Sequence, residues 1–251
     1  MSLSIVMATY NGASFIEQQL ASILPYMEPN DELIISDDGS TDHTKELIAS
    51  YCCNNHRILL VDGPKKGVVR NFENALNNVT KDFVLFSDQD DIWLPEKLPT
   101  LRRVFADNPD INLVLHDMFI CSNEQISSAE NYLMHGHRKW RHGVLPNVLF
   151  SAYFGCCMAM KKEFIASIIP FSKYTVAYDQ LIGLIAEHYK CALFIEQPLI
   201  IRRIHSNNLT KRLPFFKRIC FRFLLIRSYF DTLKKIKKNE DNTFMPCRDG
   251  I

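Results

Sequence analysis

A chain of 251 residues, 47% hydrophobic and 23% charged, can bury a core of its own and is neither disordered nor fibrous in composition. The net charge of +1 excludes no partner, but it is unevenly spread: Ile201–Glu240 holds twelve Lys and Arg against two acids, a local +10 that leaves −9 for the rest. No apolar run reaches the ~18 residues of a membrane-spanning helix, and the opening MSLSIVMATYNG lacks the basic start of a signal peptide. The eight Cys follow neither a C-x-x-C nor a Cys/His zinc spacing, so reduced thiols in a cytoplasmic protein are expected.

The first half alternates. LSIVMATY predicts a strand that breaks at Asn11-Gly12, and SFIEQQLASIL a helix that stops at Pro25. ELIISDDGS is a second strand running into a turn. STDHTKELIASY is a helix with Ser40 or Thr41 as cap and Asp42 in its first turn. RILLVDG and GVVRNFENALNNV form the next strand and helix, then DFVLFSDQDD and PEKLPTLRRVFADN another pair, with Pro99 an awkward helix residue. The second half is less regular. INLVLHDMFI and GCCMAM read as strands, KKEFIASII and YDQLIGLIAEHY as helices, and ALFIEQPLIIRRIH as strand-like. NEQISSAENYLMHGHRKWRHG is a polar loop or excursion, and a basic helical segment begins near Pro214.

Strand–helix alternation implies an α/β fold: a mostly parallel central sheet with right-handed connections and helices on both faces. Ligands of such sheets bind beyond the carboxyl ends of the strands. ATYNG, SDDGSTD, DGPKKG and SDQDD all fall at those ends.

SDQDD places Asp88, Asp90 and Asp91 at a strand tip with no Lys or Arg among them. Hard carboxylate oxygens suit Mg²⁺ or Mn²⁺, whose other positions substrate phosphates can fill. Acids stabilised by the dipole of the following helix are the alternative. In SDDGSTD, Asp37 and Asp38 can accept hydrogen bonds from a base or ribose, or form a capping turn. TYNG (Thr9, Tyr10, Asn11) is a generic turn when taken alone. GVVRN sets Arg70 and Asn71 in the first turns of a helix after Gly67, where an Arg can touch phosphate or stay solvated.

In that order, T-Y-N-G, D-D-G-S-x-D, G-x-x-R-N and D-x-D-D-x-W-x-P-x-K-L resemble the family 2 glycosyltransferases, inverting enzymes of the GT-A fold. The match is close over residues 3–100. FSDQDDIWLPEKL is most similar to bacterial O-antigen and capsule enzymes, rhamnosyltransferase-like members included. The resemblance implies that Thr9, Tyr10, Asn11, Asp38, Gly67, Arg70 and Asn71 form the nucleotide site, with Asp37 beside it. Asp88 would face ribose or metal, and Asp90 would hold the metal on the diphosphate. GCCMAMKKEF is similar to the segment below the family's acceptor pocket. Asp179, opening the helix of AYDQLIGLIA, would be the general base; a plain cap is the alternative. IIRRIHSNNLT would bring His205 to the metal or diphosphate, with Arg202 or Arg203 near. His116-Asp117 suits an acceptor-pocket or structural role.

The expectation is an inverting transfer from a nucleotide-diphosphate sugar to a glycan hydroxyl on a polyprenyl diphosphate carrier, without nucleic acid. A sugar nucleotidyltransferase and a non-catalytic sugar- or nucleotide-binding protein are the rivals. Residues 1–210 would form the catalytic domain, with a donor half (1–100) and an acceptor half (101–210). Residues 211–251 would form a basic helical tail. Its Phe216, Ile219, Phe223, Ile226 and Phe230 share one helical face, which suits an anionic membrane surface or packing on the domain. The expected location is cytoplasmic, peripheral on the inner membrane face.

Overall fold

The computed structural model describes residues 1–122, 139–205 and 214–239. Four strands, β1 (Leu3–Thr9), β2 (Glu32–Asp37), β3 (Ile58–Asp62) and β4 (Phe83–Asp88), run parallel in the order β3-β2-β1-β4. Leu3, Ile5, Val6 and Met7 of β1 are all fully buried, as are Val84, Leu85 and Phe86 of β4. Unbroken apolar runs rather than alternation mark strands covered on both faces. The chain moves leftward from β1 to β2 to β3 through α1 (Ile16–Ile23) and α2 (Thr44–Asn54). It then returns across the sheet through α3 (Val68–Leu76) to β4. Right-handed crossovers therefore put α3 on the face opposite α1 and α2. The reversal makes β1/β4 the switch point, where a crevice opens.

Register completes that crevice. Thr9 pairs with Asp37, Asp37 with Asp62, and Ala8 with Asp88, so the polar strand ends stand in one row.

The sheet continues through β7 (Met158–Lys161), β6 (Leu113–Ser122), β8 (Ala192–Ile204) and the two-residue β5 (Ile92–Trp93). β7 is antiparallel to β4 and β6, β8 is parallel to β6, and β5 is antiparallel to β8. The remaining helices are α4 (Lys97–Asp107), α5 (Val144–Leu149), α6 (Lys162–Ile168), α7 (Tyr178–His188) and α8 (Phe215–Asn239).

Several local details differ from the sequence reading. Gly155–Cys157 is a 3-10 turn, and only Met158–Lys161 is strand. Gly155 lies against Tyr178, whose hydroxyl oxygen would be 2.1 Å from a Cβ there, so the segment curls under that ring instead of extending. Pro99 is the third residue of α4, in a first turn whose N–H groups have no helical acceptor, so it costs no bond. Asp42, not Ser40 or Thr41, serves the start of α2: its Oδ1 accepts from Thr44 N at 3.1 Å and from Thr44 Oγ1 at 2.5 Å. β5 is too short to show in any periodicity. Most of the polar stretch expected after β6, and Ser206–Leu213, lie outside the described residues. Among the described residues, no helix is long and apolar enough to cross a membrane.

Candidate active site

The donor side is a set of loops held by side chains from neighbouring strands. Asp37, almost wholly buried, accepts from Thr9 Oγ1 at 2.8 Å, Ser40 N at 2.8 Å, Ser40 Oγ at 2.6 Å and Gly39 N at 3.1 Å. Its carboxylate fixes the β1 and β2 loops against each other. Asp38 is half-buried and accepts from Gly67 N at 2.8 Å and Lys66 N at 3.2 Å, tying the β2 loop to the start of α3. Asn11 adopts φ 48°, a left-handed conformation that Asn tolerates, and its Oδ1 accepts from Thr41 N at 2.8 Å. Asn71 is buried; its Nδ2 donates to Ser36 O at 2.8 Å and Thr9 O at 3.2 Å, and its Oδ1 accepts from Ser36 Oγ at 2.6 Å. Arg70 turns away from the strand-end row: it pairs with Glu73 at 2.7 Å and donates to Phe171 O at 3.0 Å and Ser172 O at 3.1 Å. Tyr10 is 56% exposed at the mouth, and a cleft lined by Ser40, Lys45, Asp62 and Lys65 lies beside Asp37.

The acidic loop after β4 is the electrostatic centre. A carboxylate oxygen of Asp88, one of Asp91 and the Cys156 sulfur lie within 4.8 Å of one another. Burial, then the charges of Asp91 and Asp90, push the Asp88 carboxyl up to about 8. Burial, then Asp90, push Asp91 up to about 6. Arg202 opposes both shifts. Asp91 is 1% exposed, and its Oδ2 has no hydrogen-bond partner among the described residues. An orphaned buried carboxylate oxygen beside a second carboxylate is costly unless a cation or proton joins it. Hard oxygen donors at this spacing fit a divalent ion such as Mg²⁺ or Mn²⁺.

Asp90 meets the end of β8. Its Oδ2 is 2.8 Å from His205 Nε2, and the His205 ring stacks on Phe15 with centroids 4.5 Å apart. Pairing of Ile92 with Ile201 and Trp93 with Ile200 delivers the end of β8 to this loop. Arg203 then donates to Asp90 O at 2.6 Å.

Sequence reasoning passed over three side chains here. Gln89 is the first: it receives Tyr10 N on Oε1 at 2.9 Å and returns Nε2 to Tyr10 O at 3.1 Å. The amide imitates a backbone rung between the β1 and β4 loops. Gly12 makes room for it, since a Cβ there would lie 2.3 Å from Gln89 Oε1. Cys156 joins Asp91 and Asp88 only through the fold. Lys97 is wholly buried, donates to Cys156 O at 2.8 Å and sits 3.8 Å above the Trp93 ring. Burial pulls its pKa down to about 8. A Lys on the apolar side of its helix was the available signal.

Asp179 lies in the first turn of α7, where its Oδ1 accepts from Gln180 N at 2.8 Å. It is close enough for its charge to act on Asp88. The preceding Tyr178 is wedged against Phe72 and Phe86, with centroids 4.5 and 5.0 Å away. The loop leading into α7 is held by Arg70 on one side and by α8 on the other, through Ser172 Oγ to Asp231 at 2.9 Å and Thr175 to Ser228 at 2.6 Å. His116 and Asp117 are buried in β6: His116 Nδ1 is 2.7 Å from Asp117 O, and burial, then Lys97, hold its pKa well below the ordinary range.

The fold is that of a GT-A glycosyltransferase. The S. aureus TarS structure with UDP-GlcNAc superposes with a TM-score of 0.69 at 16% identity, over 95% of this chain and 71% of that one. A mannosyltransferase from Pyrobaculum calidifontis, in complex with GDP-Man and Mn²⁺, gives 0.61 at 16% identity, over 97% and 76%. In sequence, the dTDP-rhamnosyl transferase RfbG of Shigella flexneri is 27% identical over 244 residues, 88% of this chain and 79% of its own. The Escherichia coli UDP-Glc:alpha-D-GlcNAc-diphosphoundecaprenol beta-1,3-glucosyltransferase WfgD is 34% identical over 125 residues, 49% of this chain and 48% of its own. The profile of glycosyl transferase family 2 matches residues 4–168, well over half of the chain. The chain therefore belongs to glycosyl transferase family 2 and is a glycosyltransferase.

Proposed function

We propose that this glycosyltransferase moves a sugar, with inversion, from a nucleotide-diphosphate sugar to a hydroxyl of a lipid-linked glycan during bacterial surface polysaccharide synthesis. The observation that carries the site assignment is the crowding of Asp88, Asp90 and Asp91 at the β1/β4 switch point, within electrostatic reach of Asp179. The names of two relatives support the chemistry: one is a dTDP-rhamnosyl transferase, the other acts on a diphosphoundecaprenol-linked sugar.

Tyr10 and Asp38 border the nucleotide, on a platform that Thr9, Asp37 and Asn71 keep rigid. Asp88 and Asp90 would hold Mg²⁺ or Mn²⁺, with Asp91 beside Asp88 and His205 fixing the Asp90 carboxylate. The ion, when bound, supplies Lewis-acid stabilisation of the diphosphate leaving group. Asp179 takes the proton from the acceptor hydroxyl as that oxygen attacks the anomeric carbon opposite the leaving group. The loop shared by Arg70 and α8 keeps the Asp179 turn aligned with the donor half. Residues 1–100 serve the donor and 101–210 the acceptor. The acceptor's lipid places the reaction at the cytoplasmic face of a membrane.

The test is release of nucleoside diphosphate from a panel of UDP-, GDP- and dTDP-linked sugars with Mn²⁺ or EDTA. Metal-dependent release from one donor, lost in Asp90→Ala, is expected. If no donor is bound or cleaved with metal present, the transfer reading fails. Pyrophosphate release from a nucleoside triphosphate and a sugar phosphate would favour a nucleotidyltransferase.

A further inference from the structure

α8 is apolar on two separate faces. Leu225, Tyr229, Leu233 and Ile236 are at most 7% exposed and pack onto the domain. Phe216, Ile219 and Phe223 are 79%, 53% and 63% exposed on a stripe roughly 120° around the helix, at 100° per residue. A helix that has already buried one apolar stripe has no folding reason to carry a second.

The second stripe does not stand alone. Arg222 of α8 reaches α5, donating Nη2 to Leu149 O at 3.1 Å. α5 brings Leu145 at 70% and Leu149 at 53% exposure, and Phe150 follows at 56%. Large apolar side chains are thus exposed on both of the elements that Arg222 ties together. Patches of this kind mark interaction surfaces rather than ordinary surface.

Charge selects the partner. Lys217 and Arg218 are exposed in the same turns of the helix, Arg222 and Arg227 follow, and no acid occurs from Pro214 to Phe230. Aromatic and aliphatic side chains amid cations match the interface of an anionic bilayer: the rings enter the headgroup boundary and each cation near the surface adds about 1 kcal/mol. The patch is also coupled to the site. Arg222 Nη1 donates to Gln180 Oε1 at 2.9 Å, and Gln180 follows Asp179. A surface resting on this patch therefore lies beside the acceptor end of the crevice.

We propose that the α5–α8 patch, centred on Leu145, Leu149, Phe216 and Phe223, docks the acceptor side of this protein on anionic lipid. The proposal takes its purpose, though not its observations, from the reading of a lipid-linked acceptor. The test is co-sedimentation of the full chain with phosphatidylcholine vesicles, with and without one-quarter phosphatidylglycerol. Wild type should bind the anionic vesicles at least about tenfold more tightly than the neutral ones, and weaken as salt rises past 0.5 M or so. Phe216→Ser/Phe223→Ser and, separately, Leu145→Ser/Leu149→Ser should each lose about tenfold or more, while their melting temperatures and donor turnover in solution stay at wild-type values. Equal binding by the variants, or no binding by wild type, overturns the proposal. So does a wild-type dimer in sedimentation velocity that Phe223→Ser dissociates, which would assign the patch to a second copy. Donor turnover in vesicle-free solution is read independently, so failure of docking is distinct from failure of the transferase reading.

Discussion

His205 Nε2 stands 2.8 Å from Asp90 Oδ2, although 115 residues separate them. The last residue described beyond β8 thereby orients a carboxylate of the loop after β4. A group that orients a metal-binding carboxylate typically contributes 10–100-fold to metal affinity or activity. His205→Ala should raise the Mn²⁺ concentration for half-maximal donor turnover by about that factor, with the melting temperature nearly unchanged. Mn²⁺ titration of turnover measures this, and an unchanged titration would assign His205 to packing on Phe15.

Asn71 distinguishes framework from ligand contact. Its three hydrogen bonds are all internal, so Asn71→Ala strands buried partners on Ser36 and Thr9. A loss of about 3 kcal/mol is expected, or a melting temperature lower by roughly 6–12 °C. Calorimetry checks it. A nucleotide-contact role would instead weaken donor binding and leave the melting temperature in place.

Gln89 and Gly12 share one space. Gly12→Ala drives a Cβ into the Gln89 amide and breaks its rung with Tyr10. Gly12→Ala and Gln89→Ala should each raise the donor KM several-fold, and the double variant should be little worse than either alone, because both remove one interaction. Steady-state kinetics on the three variants measures the coupling; strictly additive effects would show the two positions to be independent.

Asp88 makes the metal-free fold sensitive to pH. Its folded pKa, about 8, lies above the unfolded value near 3.9, so the native state binds the proton more tightly. That contribution is full below about pH 4 and is lost as pH rises through 8. In EDTA, Asp88→Asn should melt at the same temperature as wild type near pH 4 and several degrees higher at pH 8. Added Mn²⁺ should stabilise wild type most at the alkaline end. Scanning calorimetry across pH reads both, and a constant difference would contradict the buried-charge account.

The donor half was legible because its signals are local. Apolar runs ending in Thr9, Asp37 and Asp88 announced parallel strands, and strand order alone then made their ends converge. Chemistry at those ends was less legible, since a motif does not say which member faces outward. Asp37, expected beside the nucleotide site, and Asn71, expected in it, also hold the loops together through internal hydrogen bonds. Arg70 stands three residues after a Gly at a helix start, yet its partners are Glu73 on the next turn and carbonyls about a hundred residues away. Cys156 and Lys97 meet beneath Asp91 only through tertiary packing, and β5 is two residues long. α8 reads in sequence as either a membrane-surface helix or one packed on the domain; Leu225, Tyr229, Leu233 and Ile236 pack it on the domain and leave a second apolar stripe exposed.

The most direct measurement is transfer by Asp179→Asn. Asparagine keeps the shape and the hydrogen bond to Gln180 N but cannot take a proton. Nucleoside diphosphate affinity with Mn²⁺, read by calorimetric titration, should stay within about twofold of wild type, while turnover of the donor identified from the panel falls about 10²–10⁴-fold. Turnover near the wild-type rate with intact nucleotide binding would contradict the assignment of Asp179 as the base.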